Sequence, residues 1–323
     1  MLPINVLIII NMNKKWVLVL GGCGYIGTNI CEDLLKNRFN VIAYDLNPGQ
    51  SGSFLELYPN SYKHIQGVVS DLPTLVQVVT EHQIMLVMHL VSTMVPSSGY
   101  DKYLEEQKNI IVPSIELIKT FTDLGVNKLM FFSSGGTIYG NNGNSVNSEL
   151  SSCQPINYYG LAKQQLENYL LMNHESLGLD YLIIRPSNPY GKNKKISSLQ
   201  GLIPLVMSKL KNNQIIEVWG DGESTRDYIY IDDLAALITE IIKKNTWNEI
   251  YNIGTGEGTS INQIIEIAKA VTSKDVLVEY IEARSVDVPK NVLNINKLEG
   301  LIGKHQLLSV KQGMKLLWKA MAN

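Results

Sequence analysis

Three glycines at three-residue spacing restrict this chain more than any other stretch. Gly21-Gly22-Cys23-Gly24-Tyr25-Ile26-Gly27 follows directly on a β-rich apolar run, Trp16 to Leu20, and leads into a helical pattern from Thr28 to Leu35. Glycine is needed where a chain turns sharply from strand to helix and where backbone must approach a ligand closely. Free N–H groups at the helix start then face an anion. Gly21, Gly24, Tyr25, Ile26 and Gly27 are therefore a candidate cradle for the pyrophosphate of a dinucleotide. A second strand, Asn40 to Tyr44, ends in Asp45, eighteen residues after Gly27. A carboxylate there accepts both hydroxyls of an adenosine ribose and repels a 2′-phosphate, and no arginine follows in Leu46-Asn47-Pro48. NAD is expected, not NADP.

Strand and helix patterns continue to alternate. Val68 to Leu72 reads as another strand end, where Asp71 either meets the adenine amino group or caps a helix opening at Pro73-Thr74-Leu75; Leu72 is grouped with it. Met85 to Leu90 is an apolar strand that would pass beneath the coenzyme and place Leu90, Val91 and Ser92 against it, with His89 a packed structural residue. Asn109 is expected to start an apolar-periodic helix and to join the coenzyme contacts. Lys128 to Phe132 is a further buried strand, emptying into Ser133-Ser134-Gly135-Gly136-Thr137-Ile138-Tyr139-Gly140. The alternation predicts an α/β fold with a doubly wound parallel sheet of Rossmann type. In such sheets ligands collect at the carboxyl ends of strands, where Gly24, Asp45, Ser92 and Ser134 fall.

The totals exclude several classes. A net charge of −2 over 323 residues offers no basic field for nucleic acid. Cys23, Cys31 and Cys153 are too few and too scattered for a disulfide framework or a zinc site, so no metal is expected and a reducing cytoplasm fits. Leu2 to Ile10 is apolar but too short to span a bilayer, and no basic residue precedes it. Residues 1–13 read as an appendage, with Met12 an alternative start.

Tyr159-Gly160-Leu161-Ala162-Lys163 places a phenol and an ammonium one helical turn apart, on the same face. A tyrosine titrates near pH 10, and lowering that by roughly three units requires about 4 kcal/mol of preferential stabilisation of the phenolate. A neighbouring lysine together with a cationic nicotinamide ring supplies an effect of that order. Tyr159 is thus a candidate base.

Five later strings add to this order: Arg185-Pro186-Ser187-Asn188-Pro189-Tyr190-Gly191, Trp219-Gly220-Asp221-Gly222, Arg226 to Asp233, Tyr251-Asn252-Ile253-Gly254 and Arg284-Ser285-Val286-Asp287-Val288-Pro289. With the glycine turn, Asp45, Ser134 and Tyr159/Lys163, they resemble the extended short-chain dehydrogenase/reductase superfamily. More narrowly, the chain resembles the NAD-dependent nucleotide-sugar epimerase/dehydratase family, in particular UDP-hexose 4-epimerases, from about Lys14 to its end.

The resemblance implies epimerisation through a transient 4-keto sugar, with Tyr159 as base and Lys163 lowering its pKa and holding the nicotinamide ribose. It implies a hydroxyl partner for the tyrosine at a position that holds Gly135 here. Ser134 is the choice, with Thr137 second. The dehydratase branch carries a Thr-Asp-Glu string at this loop, and Gly135-Gly136-Thr137 lacks both acids. Asn188 is expected on a substrate phosphate. Leu202 and Trp219 are expected beside the uracil base, Trp219 being otherwise an ordinary aromatic. Arg226 and Arg284 would hold the diphosphate, Asp287 a ribose hydroxyl, and Asn291 would line the hexose pocket with room for an N-acetyl group.

The expected domains are 14–184 for NAD, with later segments returning at roughly 225–250, and 185–323 for a smaller C-terminal α/β substrate-binding domain. Val310 to Ala322 reads as an amphipathic tail helix. A cytoplasmic homodimer acting in nucleotide-sugar or polysaccharide metabolism is the corresponding picture. A dehydratase, a net reductase and a non-catalytic NAD(H)-sensing protein are the rival readings.

Overall fold

The computed structural model describes residues 15–192, 201–282 and 288–322. The appendage 1–13, Arg284 and Asp287 lie outside the described residues. In chain order the elements are β1 (Trp16–Leu20), α1 (Tyr25–Lys36), β2 (Asn40–Asp45), α2 (Ser51–Leu57), β3 (Tyr62–Gln66), α3 (Leu72–Glu81), β4 (Ile84–His89) and α4 (Tyr100–Glu106). A π-helical turn (Gln107–Ile111), α5 (Val112–Asp123), β5 (Lys128–Phe132), β6 (Val146–Asn147), α6 (Tyr158–Leu177), β7 (Asp180–Pro186) and β8 (Asn188–Tyr190) follow. Then come α7 (Leu202–Lys211), β9 (Ile216–Trp219), β10 (Thr225–Tyr230), α8 (Ile231–Lys244), β11 (Glu249–Ile253), β12 (Gly258–Ser260) and α9 (Ile261–Thr272). β13 (Val278–Ile281), β14 (Lys290–Leu293), α10 (Asn296–Ile302) and α11 (Val310–Ala322) close the chain.

Seven strands form one sheet in the order β11-β7-β5-β4-β1-β2-β3. The pairs β1–β2, β1–β4, β2–β3 and β4–β5 are parallel. Every residue of β1 is buried, as a central strand covered on both faces requires. The chain moves outward from β1 in one direction through β2 and β3, and in the other through β4 and β5. The strand order therefore reverses at β1, and a crevice opens beyond its carboxyl end.

Two sequence readings need correction here. The strand before α3 is Tyr62–Gln66, not Val68 to Leu72; it lies at the sheet edge, where Lys63, His64 and Gln66 stay partly or fully exposed and hide the apolar pattern. The helix read as starting at Asn109 begins nine residues earlier, at Tyr100. Asn109 itself is exposed within the π turn, and the helix resumes at Val112 with Pro113 in its first turn. Proline is tolerated there because first-turn N–H groups have no intrahelical partner.

The chain divides into two compact units. The first comprises Met1–Phe132, Asn157–Ile183 and Thr246–Glu249; the second comprises Ser133–Ile156, Ile184–Asn245 and Ile250–Asn323. The returning segment is thus four residues, not the stretch 225–250, and residues 133–156 belong with the second unit. Strand pairing explains both differences. β10, inside the expected return, pairs with β8, β12 and β14, while β6, inside 133–156, pairs with β14. The second unit's core is formed by α7, α9 and α11, which bury Ile203, Met207, Ile264, Met314 and Leu317 against Tyr190 and Tyr230.

Candidate active site

In the first unit, α1 starts at Gly24, which offers no side-chain cap, and its first turn carries no acid. Its leading N–H groups are therefore left for an anion. The turn before it is shaped by absent side chains. A Cβ on Gly27 would run into the Gly21 carbonyl, and one on Gly22 would lie 2.8 Å from Ala43 Cβ. Gly21, at φ +80°, brings the turn so close to the end of β4 that a Cβ would meet Val91 N at 3.3 Å. Gly21, Leu90 and Val91 are therefore neighbours. Asp45 is fixed beside them: Oδ2 accepts from Cys23 N at 3.0 Å and Oδ1 from Asn47 N at 3.1 Å. Each oxygen keeps capacity for a ribose hydroxyl. Asp71 caps α3, accepting from Thr74 N at 3.3 Å. These residues fit the adenosine and pyrophosphate portions of NAD.

α6 opens because Asn157 Oδ1 accepts from Gly160 N at 2.8 Å. Lys163, 5% exposed, donates from Nζ to the Phe132 carbonyl at 2.9 Å and lies 5.7 Å from the centre of the half-buried Tyr159 ring. Burial pushes the Lys163 pKa down to about 8, against the opposing pull of Glu106 and Glu167. His89 is a packed residue: Nε2 lies 2.7 Å from Ser114 Oγ, whose hydroxyl donates to the Ile110 carbonyl at 2.6 Å. Nε2 must therefore be the donor of that pair. Burial, with a smaller contribution from Lys163, lowers the His89 pKa to about 3. Ser92 Oγ donates to Glu106 Oε1 at 2.7 Å. Glu106 escapes a reading of the sequence, since nothing in Leu104-Glu105-Glu106-Gln107 distinguishes the buried acid from its exposed neighbour.

In the second unit, Ser134 to Thr137 form a tight turn. Gly135 N donates to Pro186 O at 2.8 Å and Ile138 N to Ser134 O at 3.0 Å. Asn291, read from the sequence as lining the hexose pocket, is instead a brace for this turn. Only 4% exposed, it donates from Nδ2 to the Gly135 and Gly136 carbonyls at 3.0 and 3.1 Å and accepts from Asn147 at 3.1 Å. The Thr137 hydroxyl is buried and has no hydrogen-bond partner among the described residues.

Four expected substrate residues line one cavity of about 400 Å³: Asn188, Leu202, Trp219 and Arg226, with Lys209 and Tyr228 beside them. β8 pairs with β10 so that Asn188 stands opposite Tyr228, and Asn188 Nδ2 donates to Asp227 O at 2.8 Å. Trp219 is 42% exposed, leaving its ring accessible. Ser134, Thr137 and Asn291 are not among the residues of this cavity. Other residues of the sequence strings turn inward. Asp227 accepts from Thr255 N and Oγ1 and from Gly256 N at 2.9–3.0 Å. Asn252 accepts from Tyr139 Oη at 2.6 Å, and Arg185 donates to that same oxygen at 3.1 Å.

Among the described residues, no three or more His, Cys, Asp and Glu side chains are grouped to hold a metal ion, and no helix is long and apolar enough to cross a membrane.

Several sugar-nucleotide enzymes are similar to this chain. An Escherichia coli dTDP-4-dehydro-6-deoxyglucose reductase is 28% identical over 312 residues, which cover 95% of this chain and 98% of the reductase. The structure of Thermotoga maritima UDP-glucose 4-epimerase with UDP-glucose matches with a TM-score of 0.86 at 29% identity, covering 95% of this chain and 98% of that one. UDP-N-acetylglucosamine 4-epimerase from Methanobrevibacter ruminantium, in complex with UDP-N-acetylmuramic acid, matches with a TM-score of 0.85 at 26% identity, covering 96% and 99%. The sequence model of the NAD dependent epimerase/dehydratase family matches residues 17–254. With its glycine turn, Asp45 and Tyr159/Lys163 pair, the chain belongs to the NAD dependent epimerase/dehydratase family.

Proposed function

We propose that this protein is an NAD-dependent 4-epimerase of a UDP-hexose. The observation that carries the reading is the buried Lys163 ammonium held 5.7 Å from the Tyr159 ring centre on one face of α6. A cation so placed in a water-poor setting favours the phenolate over the phenol.

NAD, when bound, supplies the acceptor and donor of hydride at sugar carbon 4. Tyr159 Oη takes the proton of the 4-hydroxyl as that carbon is oxidised and gives it back on reduction. Lys163 keeps the phenolate accessible near neutral pH. The hydroxyl assigned to the reacting oxygen is that of Thr137, ahead of Ser134, because Thr137 Oγ1 is buried and without a partner among the described residues. Arg226 and Asn188 hold the diphosphate while the 4-keto sugar turns, and Trp219 stacks on the base. Ser92, Leu90, Val91 and Asp71 are assigned to the coenzyme.

The dehydratase alternative is disfavoured by the missing acids of the Gly135-Gly136-Thr137 turn. A Cβ on Gly135 would stand 2.7 Å from Leu293 Cδ1 and 2.9 Å from the Arg185 carbonyl, so the hydroxyl is assigned to a neighbour of Gly135 and not to that position. A reductase remains the second reading, because the E. coli relative is a reductase matched along nearly its whole length.

One assay separates the two. The protein is incubated without added coenzyme with UDP-glucose, UDP-galactose and their N-acetylated counterparts, and the 4-epimers are resolved by chromatography. Interconversion of at least one pair is expected. No 4-epimer from any of them, with stoichiometric oxidation of added reduced coenzyme on a 4-keto sugar nucleotide, would establish the reductase instead.

A further inference from the structure

Glu106 is a buried acid, 2% exposed, that neither the sequence motifs nor the proposed reaction uses. It ends α4, at the junction with the π turn. Such turns widen a helix locally and re-aim the side chains around them. The junction is tied to α6 just past Lys163: Gln107 Nε2 donates to Gln165 Oε1 at 2.6 Å, and Tyr103 Oη donates to the same oxygen at 3.4 Å. Both carboxylate oxygens of Glu106 act as acceptors. Oε1 takes the Ser92 hydroxyl at 2.7 Å; Oε2 takes Thr93 N at 3.0 Å and the Thr93 hydroxyl at 2.7 Å. Ser92 Oγ in turn accepts from Met94 N at 3.2 Å. One acid thus sets the conformation of the loop that leaves β4.

We propose that Glu106 is a positioning residue: its buried carboxylate clamps the Ser92–Thr93 turn at the carboxyl end of β4 and counterbalances the buried charge of Lys163. Around that lysine stand Glu106 from α4, Glu167 and the Tyr159 phenol on α6 itself, the Phe132 carbonyl and the Phe131 ring from β5, and neutral His89 from β4. Of the two acids, Glu106 is the stronger influence raising the lysine pKa against burial. The inference rests on the reading of Tyr159 and Lys163 as the reacting pair and adds what holds that pair ready.

The two roles separate by substitution. Glu106→Gln keeps an acceptor for Thr93 and turns an amide toward Ser92, whose hydroxyl can rotate to accept, so the clamp stays and the charge goes. Glu106→Ala removes both. The readouts are the titration of Lys163, followed by NMR on lysine-labelled protein and assigned by its loss in Lys163→Met, and NAD affinity by calorimetry.

In both variants the Lys163 midpoint should fall from about 8 by roughly one pH unit, since removing an opposite charge disfavours the cation. NAD binding should stay within about threefold of wild type in Glu106→Gln and weaken about tenfold in Glu106→Ala, as expected for lost hydrogen bonds to a charged group. If Glu106→Ala does not fold, Thr93→Val tests the clamp alone. It should weaken NAD binding a few-fold without moving the lysine.

A merely structural Glu106 would lower stability but leave the Lys163 titration where it is, and that result overturns the proposal. Wild-type NAD affinity in Glu106→Ala, or in Thr93→Val where the alanine variant does not fold, overturns it equally. Neither readout needs a sugar substrate, so failure of the epimerase assay would refute the proposed function without deciding this inference.

Discussion

The two units bury polar groups for different ends. In the first, the buried charges gather around one helix: Glu106, Lys163 and Glu167, with neutral His89 near them. Its strands β1, β2, β4 and β5 are otherwise apolar inside, and the sheet needs no polar help. In the second, buried Asn147, Arg185, Asp227, Asn252 and Asn291 tie short strands and turns to one another through side-chain hydrogen bonds. In the first unit Lys163 stands among other titratable groups, Glu106, Glu167 and the Tyr159 phenol, as a reacting pair needs. In the second the buried side chains satisfy one another and the backbone, as a brace needs.

Perturbing each unit tests that contrast. Apart from the loss of Tyr159 itself, the largest effect is expected at Lys163. Lys163→Met should lower kcat about 10³-fold, the scale of a lost acid–base function, and steady-state assay of the purified variant checks it. Asp227→Ala should act on stability instead. It leaves Thr255 N, Thr255 Oγ1 and Gly256 N without their shared acceptor at a part-buried site and should cost about 2 kcal/mol in urea unfolding; an unchanged midpoint would mean the network is not a brace. Arg226→Ala should raise KM about 30-fold with kcat nearly unchanged, near the 2 kcal/mol expected of one charge-assisted phosphate contact. A fall in kcat with KM constant would remove it from the binding role.

The smallest effect concerns His89. Its folded pKa, about 3, lies below that of an unfolded histidine. Stability is therefore complete above pH 6.5 and declines as the unfolded state takes up the proton. At pH 5.5 the loss should be about 1.4 kcal/mol. Urea unfolding at pH 7.5 and 5.5 should show that slope in the wild type and a flatter one in His89→Phe.

Much of the first unit was readable in advance because its signals are local. Trp16–Leu20 and Lys128–Phe132 stand at the residues the apolar runs mark, as does the tail helix Val310–Ala322 in the second unit. The misses share a cause. Tyr62–Gln66 is an edge strand with polar side chains, and Tyr100–Glu106 exposes Asp101, Leu104 and Glu105, so neither carries a clean period. The π turn then shifts the register and leaves Asn109 in solvent.

In the second unit the sequence strings were informative about family and less so about contact. Arg185, Asp227 and Asn252 make hydrogen bonds inside the fold, and Asn291, expected beside the hexose, braces a turn. The cavity residues Leu202, Trp219 and Arg226 come from different elements that only tertiary packing brings together. Why Glu106 is buried and Glu105 exposed is likewise a matter of where α4 lies against its neighbours, which no window of sequence contains.

The most direct test of the central claim is the rate of UDP-hexose 4-epimer formation by Tyr159→Phe beside wild type, with bound NAD quantified in the same samples. The account predicts at least a 10³-fold loss with coenzyme retained, because the phenyl ring keeps its packing and only the proton acceptor is gone. A variant that epimerises within a few-fold of wild type would contradict it.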